Sequence, residues 1–188
     1  MSRARILAAA LAVGALAGCA GPGGGDAPRG FDFGIDPPAA RLAQIRIGPV
    51  RATAPFDSQD MHYRLMFRDP AELRVFAQSR WAAPPAELVR RQLGRSAQSE
   101  ATGRCALEVE LNELSQLFGS REASEVLLEL RVFLHEGGRR IAERTLRVVE
   151  RGAGAGAPGG AAAAARAADR AIGEIAGWVA REARCAAP

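Results

Sequence analysis

Val126, Leu128, Leu130, Val132 and Leu134 occupy every second position, the longest such set in the chain. A side-chain period of two belongs to a β-strand, and a strand whose apolar residues share one parity must bury that face. Shorter sets repeat the pattern. Leu107, Val109 and Leu111 alternate with Glu108 and Glu110, and Ala43, Ile45 and Ile47 alternate with polar neighbours. Met61, Tyr63, Leu65 and Phe67 alternate with His62, Arg64, Met66 and Arg68. Residues 139–150 make a weaker strand after a turn at Gly137-Gly138, and 72–81 read as a further strand or an irregular hairpin return.

Two segments have helical periodicity instead. Residues 84–98 open on Pro84-Pro85, where proline suits a first turn, and place Val89, Leu93 and Ser96/Ala97 on one face. Residues 161–184 place Ala168, Ile172, Ile175 and Val179 together, with Ala171 and Trp178 beside them and Arg166, Arg170, Glu174 and Arg181 opposite. The order is strands, helix, three strands, helix. It predicts an α+β fold: an antiparallel sheet of about five to six strands with two helices packed on one face.

The N-terminus has another purpose. Arg3 and Arg5 precede an apolar run, residues 6–18, that is short of the roughly 20 residues a membrane-spanning helix needs. It has the length of a signal-peptide core. Leu16-Ala17-Gly18-Cys19 then reads as a lipobox, with small residues at the cleavage site and a thiol to accept lipid. The expected division is a lipoprotein signal peptide over 1–18, a lipidated Cys19 and flexible Gly/Pro-rich tether over 19–30, and one domain over 31–188. Each buried CH₂ contributes about 0.8 kcal/mol, so several acyl chains such as palmitate hold a protein to a bilayer essentially permanently. A second low-complexity run, residues 152–165, joins the last strand to the last helix.

Composition narrows the function. The chain has 188 residues and a formal charge of +4, two units of which belong to Arg3 and Arg5. All its basic side chains are arginine, which reads as coding bias. These arginines are interleaved with glutamate and apolar residues, not gathered on a face, so nucleic acid is not an expected partner. Gly154-x-Gly156-x-x-Gly159 matches a dinucleotide fingerprint, but no strand follows the helix to complete the unit that fingerprint needs. His62 and His135 are 73 positions apart on the polar parity of their strands, where solvated side chains are expected. Without metal-ligand spacing, a P-loop or a nucleophile elbow, no catalytic residue, metal or cofactor is expected.

Two cysteines remain. Cys105 shares the inward parity of Leu107, and Cys185 follows Trp178 by seven residues on nearly the same helical face. In an oxidising compartment this favours a Cys105–Cys185 disulfide; the other reading is two separate buried thiols. Trp81 reads either as a core aromatic at a strand-to-helix corner, which we favour, or as an interface anchor.

In their order, several short motifs make the chain resemble the ABC-type transport auxiliary lipoprotein family over residues 31 to about 183. These are Phe31-Asp32-Phe33-Gly34, Ala54-Pro55-Phe56-Asp57 followed by Met61-His62-Tyr63-Arg64, and the Trp81-Ala82-x-Pro84-Pro85 corner. The strands over 105–116 and 125–134 and the Ala-rich helix ending near Trp178 complete the order. Phe33, where Leu is usual, and the Gly/Ala insert at 152–165 depart from it.

The resemblance implies a non-enzymatic component of intermembrane lipid transport. Its expected partners are ABC transporter components, a mammalian-cell-entry (MCE) domain protein and, through Cys19, membrane lipid, with self-association a further expectation. Ala20 after the cysteine, in place of Asp, favours the periplasmic face of the outer membrane by the same resemblance. A run of about 20 residues from Cys19 to the first strand would reach roughly 25 Å. Docking is expected on sheet edges or loops, with Arg64 and Arg68 as candidates. The alternative is a structural or assembly lipoprotein unrelated to transport.

Overall fold

The computed structural model describes residues 27–42, 45–97, 103–152, 154–182 and 185. The segment read as a signal peptide, Cys19, most of the segment read as a tether, and Ala43 lie outside the described residues. The elements are β1 (Arg29–Phe31), β2 (Arg46–Ala52), β3 (Asp60–Leu65), β4 (Asp69–Trp81), α1 (Pro85–Ser96), β5 (Cys105–Phe118), β6 (Ser124–Glu136), β7 (Arg139–Arg151) and α2 (Ala157–Arg181).

They form one seven-stranded sheet with both helices in a single core against one face. The class is the expected α+β; the strand count and the purely antiparallel pattern are not. The three β5–β6–β7 strands and the β3–β4 hairpin are antiparallel, whereas β1 runs parallel to β4, and β2 and β3 both run parallel to β5. Period-two patterning reports which face is buried and carries no information on a neighbour's direction.

One edge of β5 serves two strands in succession. β2 pairs with Ala106 to Leu111, and β3 with Ser115 to Phe118. A bulge in β5 between Leu111 and Glu113 sits where one partner ends and the other begins. The extra residue inverts parity. Before it the buried core residues are Cys105, Leu107, Val109 and Leu111; after it they continue at Leu114. Opposite, Val126 to Leu134 keep one parity throughout and are all buried on the helix side. Gly137 and Gly138, with φ of 57° and 82°, close β6 onto β7 in a two-residue turn that requires left-handed backbone at both positions.

Three expectations need correction. Arg29 and Gly30, read as tether, belong to β1, so only ten positions separate Cys19 from the first strand. The Gly/Ala run is not a connection throughout: α2 begins at Ala157, because alanine is the best helix former and proline fits its first turn. Its buried face is largely alanine (Ala161, Ala164, Ala168, Ala171), which lets the helix approach the sheet closely before Ile172, Ile175 and Val179 fill the wider end. The third concerns β3. Its alternation stops at Leu65, and Phe67 lies exposed in the turn. His62, expected in solvent, is buried at 6% exposure, edge-on to Phe56 at 5.2 Å between ring centroids. β3 is an interior strand with both edges paired, and Phe56, from the β2–β3 connection, covers His62 on its face.

Candidate functional site

The two ends of the sheet differ. At one end lie the β6–β7 turn, the start of β5 and the residues after α2. There Cys105 and Cys185, 80 residues apart, form a disulfide, and both are buried. At the other end lie the β3–β4 turn, the β5–β6 turn and the approach to α2. Met66 N–H donates to Phe118 C=O at 3.0 Å, and Gly152 N–H to Ser124 C=O at 2.8 Å, so the three connections adjoin.

The sequence-derived candidates do not converge on one place. Trp81 is in the core at 3% exposure, meeting Phe33 edge-to-face at 5.6 Å, and is out of reach of a partner. Arg64 is occupied within the molecule: its guanidinium contacts Glu113 at 3.4 Å and donates to the carbonyls of Pro70 and Ala71, tying the β3–β4 hairpin to β5. Arg68 is exposed in the turn beyond it. His135 Nε2 lies 3.1 Å from Glu108 Oε2 on the sheet face away from the helices. Gly154, Gly156 and Gly159 lie at the entrance to α2, and no strand follows that helix among the described residues.

The helix-free sheet face is a lattice of ion pairs. Arg51 meets Glu108 at 2.6 Å, Arg131 and Arg140 converge on Glu143 at 3.1 and 2.9 Å, and both arginines stack over Phe133. The two arginines hold the Glu143 carboxyl below its ordinary pKa. On α1, Arg90 and Arg91 pull Glu87 down to about 2. Such exposed pairs contribute little individually; here the long side chains shield apolar surface while their charges stay in water.

Beneath the helices, Met61, His62, Trp81, Gln116 and Gly160 line a cavity of about 10 Å³. That is room for about one water molecule. Burial pushes the His62 imidazole below its ordinary value, partly offset by Asp60 and Glu113. Gln116 donates to the Ser124 hydroxyl at 2.7 Å and to the Gly156 carbonyl at 3.2 Å, fastening the entrance of α2 to the sheet. The Gln116 amide N–H groups thus hold the fold, while its Oε1 and the Trp81 Nε1 at the same cavity have no hydrogen-bond partner among the described residues. Among the described residues no group of three or more His, Cys, Asp or Glu is placed to hold a metal ion. Nor is any helix among them long and apolar enough to cross a membrane.

The exposed apolar side chains are what sequence reasoning missed. Met66 and Phe67, at 40% and 49% exposure, project from the turn next to Arg68. Strand parity assigned Phe67 to the interior; the chain turns at residues 66–68, and Asp69-Pro70 directly after them was the available signal against that reading.

Residues 35–176 match the family described as ABC-type transport auxiliary lipoprotein component. The chain belongs to that family. Its fold recurs in the crystal structure of a DUF330-family protein from Xanthomonas campestris, at 21% identity and a TM-score of 0.61 over 78% of this chain and 94% of that one. It recurs also in an uncharacterised protein, at 12% identity and a TM-score of 0.64 over 82% and 99%. At these identities the likeness concerns the fold. No curated protein matches the chain in sequence. Family membership accords with the sequence resemblance, and the matched span runs from just after β1 into α2.

Proposed function

We propose that this family member is a lipid-anchored periplasmic protein that assists an ABC-type transport system by docking to its components, without chemistry of its own. The family match over residues 35–176 carries the reading. Leu16-Ala17-Gly18-Cys19 supplies the anchor, and Ala20 favours the outer membrane. The partners we infer are an MCE-domain protein that bridges the two membranes and the ABC components that energise it, with envelope lipid as cargo. The cavity beside His62, at about 10 Å³, is too small to hold an acyl chain; wider clefts of about 560 and 630 Å³ lie at the β3–β4 and β5–β6 turns, open to solvent.

Crosslinking the lipidated protein in native membranes, followed by capture and identification, tests this. Recovery of ABC or MCE components, together with altered envelope permeability when the gene is deleted, is the expected result. Recovery of neither, with unchanged permeability, would leave a structural lipoprotein of the outer membrane.

A further inference from the structure

Five large apolar side chains are exposed among the described residues, and three of them sit on the β3–β4 hairpin. Met66 and Phe67 form its tip, and Val75 lies on β4 at 46% exposure. Single exposed apolar residues are ordinary; a group on one projecting element marks a contact surface. The hairpin is also at the sheet margin. The outer edge of β4 is paired with β1 only at Ser79–Trp81, which leaves Asp69 to Gln78 open among the described residues.

The direction of β1 shows what lies nearby. β1 is parallel to β4, with Arg29 beside Ser79, so the chain enters Arg29 from the side of the hairpin tip. Ten positions separate Cys19 from Arg29, a contour of at most about 35 Å. β4 is irregular here: Leu65 pairs with Asp69 and Asp60 with Arg80, so this stretch of β4 rises only about 17 Å along the sheet, the length of five positions of β3. The chain before Arg29 is therefore long enough to bring an acylated Cys19 level with the hairpin tip.

We propose that the β3–β4 hairpin rests on the same bilayer that holds the Cys19 lipid, with Met66 and Phe67 in the interfacial layer. The proposal rests on the reading of Cys19 as acylated. Charge is not its source. Arg68 and Arg121 at this end are balanced by Asp69 and Glu122, and Arg64 and Arg74 are paired with Glu113 and Glu72. Attraction comes from apolar burial, and the contact should be indifferent to the anionic lipid content of the bilayer. Its depth is limited as well. The unpaired backbone groups of the β4 edge cannot enter hydrocarbon, so only the turn side chains penetrate. The opposite end, with the β6–β7 turn and the Cys105–Cys185 disulfide, then faces away from that membrane.

The test uses full-length protein, processed in cells and reconstituted in vesicles of phosphatidylethanolamine and phosphatidylglycerol. A Phe67→Trp variant adds an emitter at the tip, and Arg139→Trp adds one beside the β6–β7 turn, at the opposite end of the sheet. With lipids brominated along the acyl chain, the emission added by Phe67→Trp should be quenched and that of Arg139→Trp should not. The same result is expected when phosphatidylglycerol is replaced by phosphatidylcholine. Unquenched emission from Phe67→Trp in protein whose intact mass shows acylation would overturn the proposal while sparing the anchor. The same outcome together with crosslinks from the tip to an envelope protein would reassign the hairpin to a protein partner. Quenching in protein that carries no lipid would sustain the contact and refute the anchor.

Discussion

Cys105, the first residue of β5, is bonded to Cys185, which lies just beyond the last helix. The bond closes a loop that contains β5, β6, β7 and α2, so the three-stranded meander and the helix that covers it are tied at one end. In the chain-entropy picture, a loop of 80 residues contributes about 4 kcal/mol by restricting the unfolded chain. Replacing both cysteines by alanine should lower the free energy of unfolding by up to that amount and leave the native secondary structure unchanged. Denaturant melts of wild type with and without reductant, beside the double variant, measure it. Equal stability in all three would mean that the bond constrains nothing the fold does not already hold.

Two helical glycines should respond to alanine with opposite signs. Gly94 on α1 has open space where a Cβ would stand, so Gly94→Ala should stabilise by about 0.5–1 kcal/mol through helix propensity. On Gly160 of α2 a Cβ would overlap the Gln116 carboxamide. That group is held by Ser124 and the Gly156 carbonyl, so moving it breaks two hydrogen bonds. Overpacking of about 1–3 kcal/mol then exceeds the propensity gain, and Gly160→Ala should be destabilising. The penalty should shrink in a Gln116→Ala background, which a double-mutant cycle detects.

His62 should make stability depend on pH. Burial lowers its folded pKa below the ordinary 6.5, so between those two values the unfolded chain binds more protons. Stability from this residue is complete above 6.5 and is lost as pH falls through 6.5 towards the folded value. The melting temperature should therefore decline between about pH 7 and pH 5.5, the range in which histidine titrates. In His62→Gln that decline should be smaller, whatever the variant's stability at neutral pH. Identical slopes for the two proteins would contradict the assignment.

Arg64 and Arg68 should separate in their effects. Arg64→Ala removes the contact to Glu113 and the bonds to two carbonyls of the β4 start, and should cost about 1–2 kcal/mol. Arg68→Ala removes an exposed turn side chain and should change stability by less than about 0.5 kcal/mol. Reversing both charges therefore does not isolate partner binding. Arg68→Glu alone is the cleaner probe, read by thermal melts and by capture of transport components.

Much of this arrangement was legible in the residues. Val126 to Leu134 specified a strand and its buried face, and Val89 with Leu93, and Ile172 with Ile175, specified the inner faces of the two helices. These readings need only local periodicity, because parity and the helical repeat are set by backbone geometry. The same reasoning failed at His62 and Phe67. His62 is buried because Phe56 covers it, and Phe67 is exposed because β3 ends at Leu65; no local pattern encodes either fact.

By its sequence alone the chain determined its class, the face each long element buries, and the motif order that marks its family. Tertiary structure decided the rest. It set β2 and β3 end to end along one edge of β5, parallel to it, with the Leu111–Glu113 bulge at their junction. It brought Cys105 to Cys185 and turned Arg64 inward to Glu113. It also entered β1 from the side of the Met66-Phe67 tip. The physical reason is that hydrophobic patterning is a one-body property of a segment, indifferent to which strand lies beside it and in which direction. Pairing is a property of two segments far apart in the chain, decided when their edges, side-chain volumes and connections must all be satisfied at once.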